Sequence, residues 1–281
     1  MEVLTLGDNC LDVYLARGMA YPGGGPVNTA VYLARAGIRA AYAGAVGDDP
    51  GGRYLVRSLQ EEGVETSWVQ VFPGRTNLTF VRHVQGDRVF AGTRPGVRSQ
   101  FRWQALPTSA YTEARVIHTT VDGGVDDLLP VLPDGHGIVT YDFSRKFTPA
   151  RRPLLPLIDV VFASAAALTE RTALAQASKW LADGGRVVVL TLGHRGSLAV
   201  DKRGVYRCSA PAVRVLDTLG AGDAFIAGYI QGVLRDESVQ VCLERGREVA
   251  AEALGCYGAF GHGVSLDAVG LAGEGAAWTR G

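Results

Sequence analysis

What the chain lacks removes several chemistries at once. Its 281 residues include four cysteines, Cys10, Cys208, Cys242 and Cys256, which lie far apart and form no CxxC pair. A disulfide framework and a thiolate zinc site are therefore excluded, and the thiols are expected to be reduced. The five histidines show no HExxH or other zinc-ligand spacing. No apolar run approaches the roughly 18 residues of a membrane span. The opening MEVLTLGDNC has neither the basic start nor the long apolar stretch of a signal peptide. Lys plus Arg and Asp plus Glu both number 28, so no excess of one sign offers a footprint for nucleic acid or an anionic membrane. Glycine is plentiful at 37 residues but follows no fixed period, which excludes collagen-like and solenoid readings. The expectation is a cytoplasmic globular protein with no nucleic-acid or membrane partner.

What is present is an alternation. Short apolar, β-branched runs fall at residues 3–6, 40–46, 116–118, 138–142, 160–163 and 187–191. Several are continuously apolar, as strands buried on both faces must be. Helical spacing covers 26–36, 51–62 and 168–181; Pro26 opens the first, and Gly37 and Gly63 follow the first two. Strand–helix alternation predicts an α/β fold with a mostly parallel sheet covered on both sides. Residues 76–91 break the rhythm, reading as two strands around Gly86-Asp87 with no helix after them. This predicts a small β lid, although a plain edge hairpin has the same pattern. Residues 261–281 carry no assigned chemistry.

Four segments carry candidate chemistry. Asp217-Thr218-Leu219-Gly220-Ala221-Gly222-Asp223 runs straight into a helical pattern. The first amides of a helix lack intrahelical partners and favour an anion, and small residues let a phosphoryl group approach them. Asp223 beside that anion hole suits a base for phosphoryl transfer, or equally a helix cap. Gly23-Gly24-Gly25-Pro26-Val27-Asn28 is a second glycine turn before a helix. It is neither a GK[ST] phosphate loop nor a GxGxxG dinucleotide turn; it permits close ligand approach beside Asn28, or is simply a flexible turn. Thr191-Leu192-Gly193-His194-Arg195-Gly196 ends a buried strand, where open α/β sheets bind ligands, but a strand-to-strand turn has the same form. Gly7-Asp8-Asn9-Cys10-Leu11-Asp12 places polar side chains after the first strand, fit for a polyol or for capping a turn.

Together and in this order, the segments resemble the ribokinase/phosphofructokinase-B family of carbohydrate kinases, over nearly the whole chain. Gly24-Gly25-Pro26-Val27-Asn28 is similar to the family's N-terminal signature, and Asp217 to Asp223 to its C-terminal one. Gly44-Ala45-Val46-Gly47-Asp48-Asp49 with Gly51-Gly52 resembles its VGDD-type turn. The opening around Asp8 and Tyr14, Asp87-Arg88-Val89-Phe90, Asp142-Phe143-Ser144 and Phe162-Ala163-Ser164-Ala165 are similar to the fructoselysine-kinase subgroup.

The resemblance implies a single ribokinase-like three-layer α/β/α domain over 1–281, with lid segments near 9–22 and 70–100. It implies Asp223 as catalytic base and Gly220, Ala221 and Gly222 as anion hole. Asp8, Asp12, Gly24, Gly25, Asn28 and Asp142 would hold the sugar. Thr191, Gly193 and Gly196 would face ATP, and Asp217 would mark a monovalent-cation site such as one for K+. Mg2+ is expected with ATP. The family's NxxE motif is replaced here by Ser164-Ala165-Ala166-Ala167, as the fructoselysine subgroup also departs from it, which leaves the magnesium contacts open. A homodimer through the lid is expected. The implied activity is phosphorylation of a fructosamine 6-hydroxyl. The alternatives are a kinase of another sugar or nucleoside, or a catalytically silent sugar- or nucleotide-binding sensor.

Overall fold

Each continuous apolar run is a strand in the computed structural model, which describes residues 1–84 and 87–272. The chain runs β1 (Val3–Leu6), β2 (Cys10–Tyr14), β3 (Met19–Gly23), α1 (Gly25–Arg35), β4 (Ala40–Ala43), β5 (Ala45–Gly47), α2 (Pro50–Glu61) and β6 (Gln70–Phe72). It continues through β7 (Leu78–Val84), β8 (Asp87–Arg94), α3 (Thr108–Thr112), β9 (Val116–Thr120), β10 (Ile138–Asp142), β11 (Val160–Ser164) and α4 (Glu170–Ala182). The last elements are β12 (Val187–Thr191), β13 (Ser197–Asp201), β14 (Gly204–Cys208), α5 (Ala221–Leu234), α6 (Val239–Ala253) and β15 (Val264–Ser265).

The main sheet has the order β14-β13-β12-β11-β10-β9-β1-β4. From β4 to β12 every pairing is parallel, and β13 and β14 close one edge antiparallel. On one face, α1 and α5 bury Val27, Val31, Phe225 and Tyr229 against Val3, Val116 and Phe162, and α6 packs beside α5. On the other face, α4 lays Ala173, Ala177 and Trp180 on Tyr141, Phe143 and Val188, and α3 covers Leu4, Leu6 and Ile117. The result is the expected three layers of ribokinase-like type.

The lid is larger than a hairpin. A second sheet, β15-β3-β2-β7-β8, draws on three separate stretches of chain. β2 pairs antiparallel with β3 and parallel with β7, and β7 pairs antiparallel with β8. Gly86 of the expected turn and residues 273–281 of the tail lie outside the described residues. Residues 40–46 do not form one strand as expected but divide at Gly44. A Cβ there would fall 2.0 Å from Tyr42 Oη and 2.5 Å from the Gly7 carbonyl oxygen, so the chain passes only as glycine. β5 then pairs with β6 in a two-stranded ribbon. Among the described residues no helix is long and apolar enough to cross a membrane.

The Gly47-Asp48-Asp49 turn anchors the lid to the main domain. Asp49 caps α2 by accepting from the Gly52 amide at 2.8 Å, and its carboxylate also accepts from the Thr76 amide (3.1 Å) and Thr76 Oγ1 (2.8 Å). Asp48 Oδ1 accepts from the Gly74 amide at 3.0 Å. Asp49→Ala removes three acceptor contacts, the helix cap among them, and is expected to lower unfolding free energy by about 1–3 kcal/mol, measured as a shifted urea midpoint at unchanged slope.

Candidate active site

A parallel sheet delivers the carboxyl ends of its strands to one edge, and the polar residues gather there. After β1, Gly7 adopts φ 118°, and a Cβ on it would sit 2.4 Å from Gly123 Cα. Asp8 follows, buried, with Oδ1 accepting from Thr120 Oγ1 at 2.6 Å. Asn9 Nδ2 donates to Tyr42 Oη (2.8 Å) and to the Ala45 carbonyl (2.7 Å), fixing the loop's path.

The opposite wall comes from the far end of the chain. Gly220, at φ 74°, caps α5, and a Cβ on it would meet Ala259 Cβ at 2.5 Å, so only glycine makes this turn. Ala221, Gly222 and Asp223 form the first turn of α5, whose leading amides have no intrahelical acceptor. A Cβ on Gly222 would meet nothing within 4 Å, so the space before these amides is open.

Asp223 is joined to the N-terminal glycine turn. Asn28 Nδ2 donates to Asp223 Oδ2 at 2.7 Å. A Cβ on Gly25 would lie 2.8 Å from Thr120 Cγ2 and 3.4 Å from Asp223 Oδ1, and one on Gly24 would lie 2.7 Å from both Asn9 Cα and the Asp8 carbonyl oxygen. Asp8, Gly24, Gly25, Asn28 and Asp223 thus converge around Thr120. Asn28 Oδ1 and Asn9 Oδ1 are buried and accept no hydrogen bond, which suits them to hydroxyl donors of a polyol. Asp12 lies within β2 of the lid, not after a strand as expected. Cys10 Sγ donates to its Oδ1 at 3.5 Å, and Gly23 is glycine because a Cβ would reach 2.0 Å from its Oδ2.

Asp142 ends β10 directly opposite Thr120. Burial pushes its carboxyl up to about 7; the Ser144 amide bond opposes this, and the negative charges of Asp8 and Asp122 add to it. Asp8 is also raised, chiefly by burial, with the Thr120 bond acting against it. Lys146 Nζ bonds both oxygens of Asp122 at 2.7 Å, which offsets part of the local negative charge. The mid-sheet His118 lies outside this chemistry. It is buried with Nδ1 against Thr140 Oγ1, and burial holds it neutral, at about 3.

Thr191 ends β12, and its carbonyl accepts from the Ala165 amide at 2.8 Å. Gly193 is exposed at φ 64°, and Gly196, at φ 92°, presses on the Cys208 carbonyl, where a Cβ would lie 2.0 Å away. The following segment runs from that contact to Asp217, exposing Val213, Val215 and Leu216. Arg195 donates to the Ala166 carbonyl (3.0 Å) and the Leu168 carbonyl (2.7 Å), bracing the loop that lacks polar NxxE side chains. Asp217 is buried. Its Oδ1 accepts from the Leu219 amide at 3.0 Å, and its Oδ2 accepts from the Gly258 amide at 3.1 Å and Tyr14 Oη at 2.5 Å. Among the described residues no group of three or more His, Cys, Asp or Glu is arranged to hold a metal ion.

Sequence reasoning gave no individual role to Thr120, Asp122, Arg195 or Tyr14, although Arg195 and Tyr14 lie in segments it singled out. Thr120 was legible, since Thr119-Thr120 continues the β-branched run that the 116–118 reading stopped short. The others emerge only from contacts distant in sequence.

The chain as a whole is similar to known proteins. The pattern of the pfkB family carbohydrate kinases matches residues 8–262. The chain is similar to fructoselysine 6-kinase of Escherichia coli (strain K12), 34% identical over 257 residues, covering 91% of this chain and 98% of that one. It is similar to fructosamine kinase FrlD of Bacillus subtilis (strain 168), 31% identical, covering 94% of each. Its fold matches a putative ribokinase II from E. coli, solved with ATP and Mg2+, at a TM-score of 0.79 and 19% identity, covering 92% of this chain and 94% of that one.

The raised Asp142 carboxyl gives a signed stability prediction. A carboxyl whose folded pKa exceeds its unfolded value stabilises below the unfolded value and loses that contribution as pH rises through the folded one. Between about pH 4 and 7 the wild type therefore surrenders stability that Asp142→Asn keeps. The variant is expected to be more stable than wild type at pH 8 by about 1–3 kcal/mol, with the gap closing toward pH 4, read by urea unfolding at both pH values.

Proposed function

Since this chain belongs to the pfkB family of carbohydrate kinases, we propose that it transfers the γ-phosphoryl group of ATP to the 6-hydroxyl of a fructosamine, with fructoselysine the first candidate and Asp223 the general base. The Asn28–Asp223 bond carries this reading, because it sets a carboxylate beside helix-terminal amides with open space in front of them. Asn28 holds the carboxylate through Oδ2, and the carboxylate would accept the proton of the attacking hydroxyl. Amides of Gly220, Ala221, Gly222 and Asp223 would offset the charge of the phosphoryl group in flight. Asp8, Asp12, Asn28 and Asp142 would hold the sugar, with Gly24 and Gly25 giving it room, and Thr191, Gly193 and Gly196 would border the nucleotide. Mg2+ would offset phosphate charge, held mainly by the phosphates and water, since among the described residues no cluster of three or more acidic, histidine or cysteine side chains is arranged for a metal. The lid sheet, which carries Asp12, would cover the sugar and limit water.

The fructosamine reading rests on charge as well as on the relatives. A fructosamine carries a basic nitrogen on sugar carbon 1. Asp8, Asp122 and Asp142 act on one another electrostatically at the ends of β1, β9 and β10. An ammonium placed there would favour the ionised form of Asp142, against the burial that chiefly raises it and the repulsion that adds to it, which the neutral hydroxyl of fructose does not.

Two measurements test the reading. Asp223→Asn is expected to leave folding and ATP binding intact and to lower turnover roughly 10²–10⁴-fold; near-wild-type turnover would sink the base assignment. In a panel of fructoselysine, fructose, ribose and nucleosides, kcat/KM for fructoselysine is expected to exceed that for fructose about 10-fold or more, as charged hydrogen bonds contribute about 1.5–3 kcal/mol. Equal values for the two would leave only the general sugar-kinase activity, and ATP consumption with none of the panel would favour a silent sensor.

A further inference from the structure

We propose that Tyr14 is a positioning residue for the phosphoryl-binding turn, its hydroxyl holding Asp217 in the role a bound monovalent cation would otherwise fill. The inference rests on the kinase reading above. Tyr14 ends β2, the lid strand that carries Asp12, while Asp217 begins the turn that leads through Gly220 to Asp223. The two are 203 residues apart in the chain, both are buried, and Tyr14 Oη donates to Asp217 Oδ2 at 2.5 Å. The same carboxylate receives the Leu219 amide from its own turn and the Gly258 amide from the segment after α6. Three donors therefore converge on Asp217, from the lid, the phosphoryl turn and the C-terminal loop.

The surroundings make the bond rigid. Tyr14 packs edge-on against Tyr21 of β3, with ring centroids 5.0 Å apart. Tyr21 in turn lies where any side chain on Gly258 would fall, 2.6 Å from a Cβ there. Tyr32 Oη donates to the Ala259 carbonyl at 2.7 Å, and Ala259 is the residue against which Gly220 is wedged. Displacing Asp217 would thus displace Gly220 and the amides after it. A cation site requires oxygen lone pairs turned toward the ion. Here three hydrogen-bond donors take up three of the roughly four lone-pair positions of the Asp217 carboxylate, leaving little of it to turn toward an ion. The negative charge of Asp217 is satisfied by protons from the protein itself.

The test compares wild type with Tyr14→Phe, which keeps the ring and its packing and removes only the hydroxyl. Turnover and thermal melting are measured in KCl, NaCl and tetramethylammonium chloride at equal ionic strength. Wild type is expected to turn over within about twofold in all three salts and to melt at one temperature. Tyr14→Phe is expected to lose roughly 10–100-fold in kcat, as misplacement of a reacting group by about 1 Å does, while KM for the sugar changes little. Two results would overturn the proposal: wild-type turnover or melting temperature that rises severalfold or by several degrees with K+ alone, or a folded Tyr14→Phe with wild-type kcat and only a lowered melting temperature. The wild-type salt series decides the matter even if the variant does not fold. If wild type phosphorylates no sugar at all, it is the kinase reading that fails, and the melting series still reports on the cation.

Discussion

One hydrogen bond, from Asn28 Nδ2 to Asp223 Oδ2, joins the two halves of the site. It spans 195 residues of sequence and connects the first turn of α1 to the first turn of α5. Around it the glycines fall into place. Gly25 is small because Thr120 and Asp223 approach it, Gly24 because the backbone at Asp8 and Asn9 does, and Gly220 because it turns against Ala259. Asp223 is only partly buried, and Asn28, which donates to it, is itself buried. Placing the carboxylate and closing the glycine turns around it are therefore a single arrangement.

The main sheet was legible in the sequence because strands buried on both faces leave a signal that needs no partner to read. Val160 to Ala163 and Val187 to Leu190 are apolar without interruption, and both are interior strands. The glycine turns were legible for a related reason, since backbone at positive φ or in close contact leaves few residue choices. The lid was only half legible. The strands at 10–14 and 19–23 are short, and Asp12 breaks the apolar run of the first, so they read as a polar loop after β1. Their pairing with β7 and β15 is a property of tertiary contact. Asp217 stood out in sequence, but its bond to Tyr14 did not, because nothing local to either residue announces the other.

Charge at the site is managed by pairing rather than by neutral composition. The chain as a whole is balanced, with 28 residues of each sign, yet Asp8, Asp122 and Asp142 crowd the sheet edge. Lys146 answers one of them. Burial, with the charges of Asp8 and Asp122 adding to it, holds the Asp142 carboxyl well above the ordinary carboxylate range.

The composition of the lid sheet bears on how the chain is made. β2 and β3 lie near the start of the chain, β7 and β8 follow well after, and β15 pairs with Ala20 and Met19 only from near the C-terminal end. A chain emerging from the ribosome carries β3 with one bare edge until residues 264–265 have been synthesised. Such distant pairings slow folding and leave a strand edge open to the wrong neighbour. Leu266, whose amide bonds the Gly18 carbonyl at 3.2 Å, belongs to the same late closure. A chain cut short before residue 264 therefore lacks an edge strand of the second sheet while every strand of the main sheet is present.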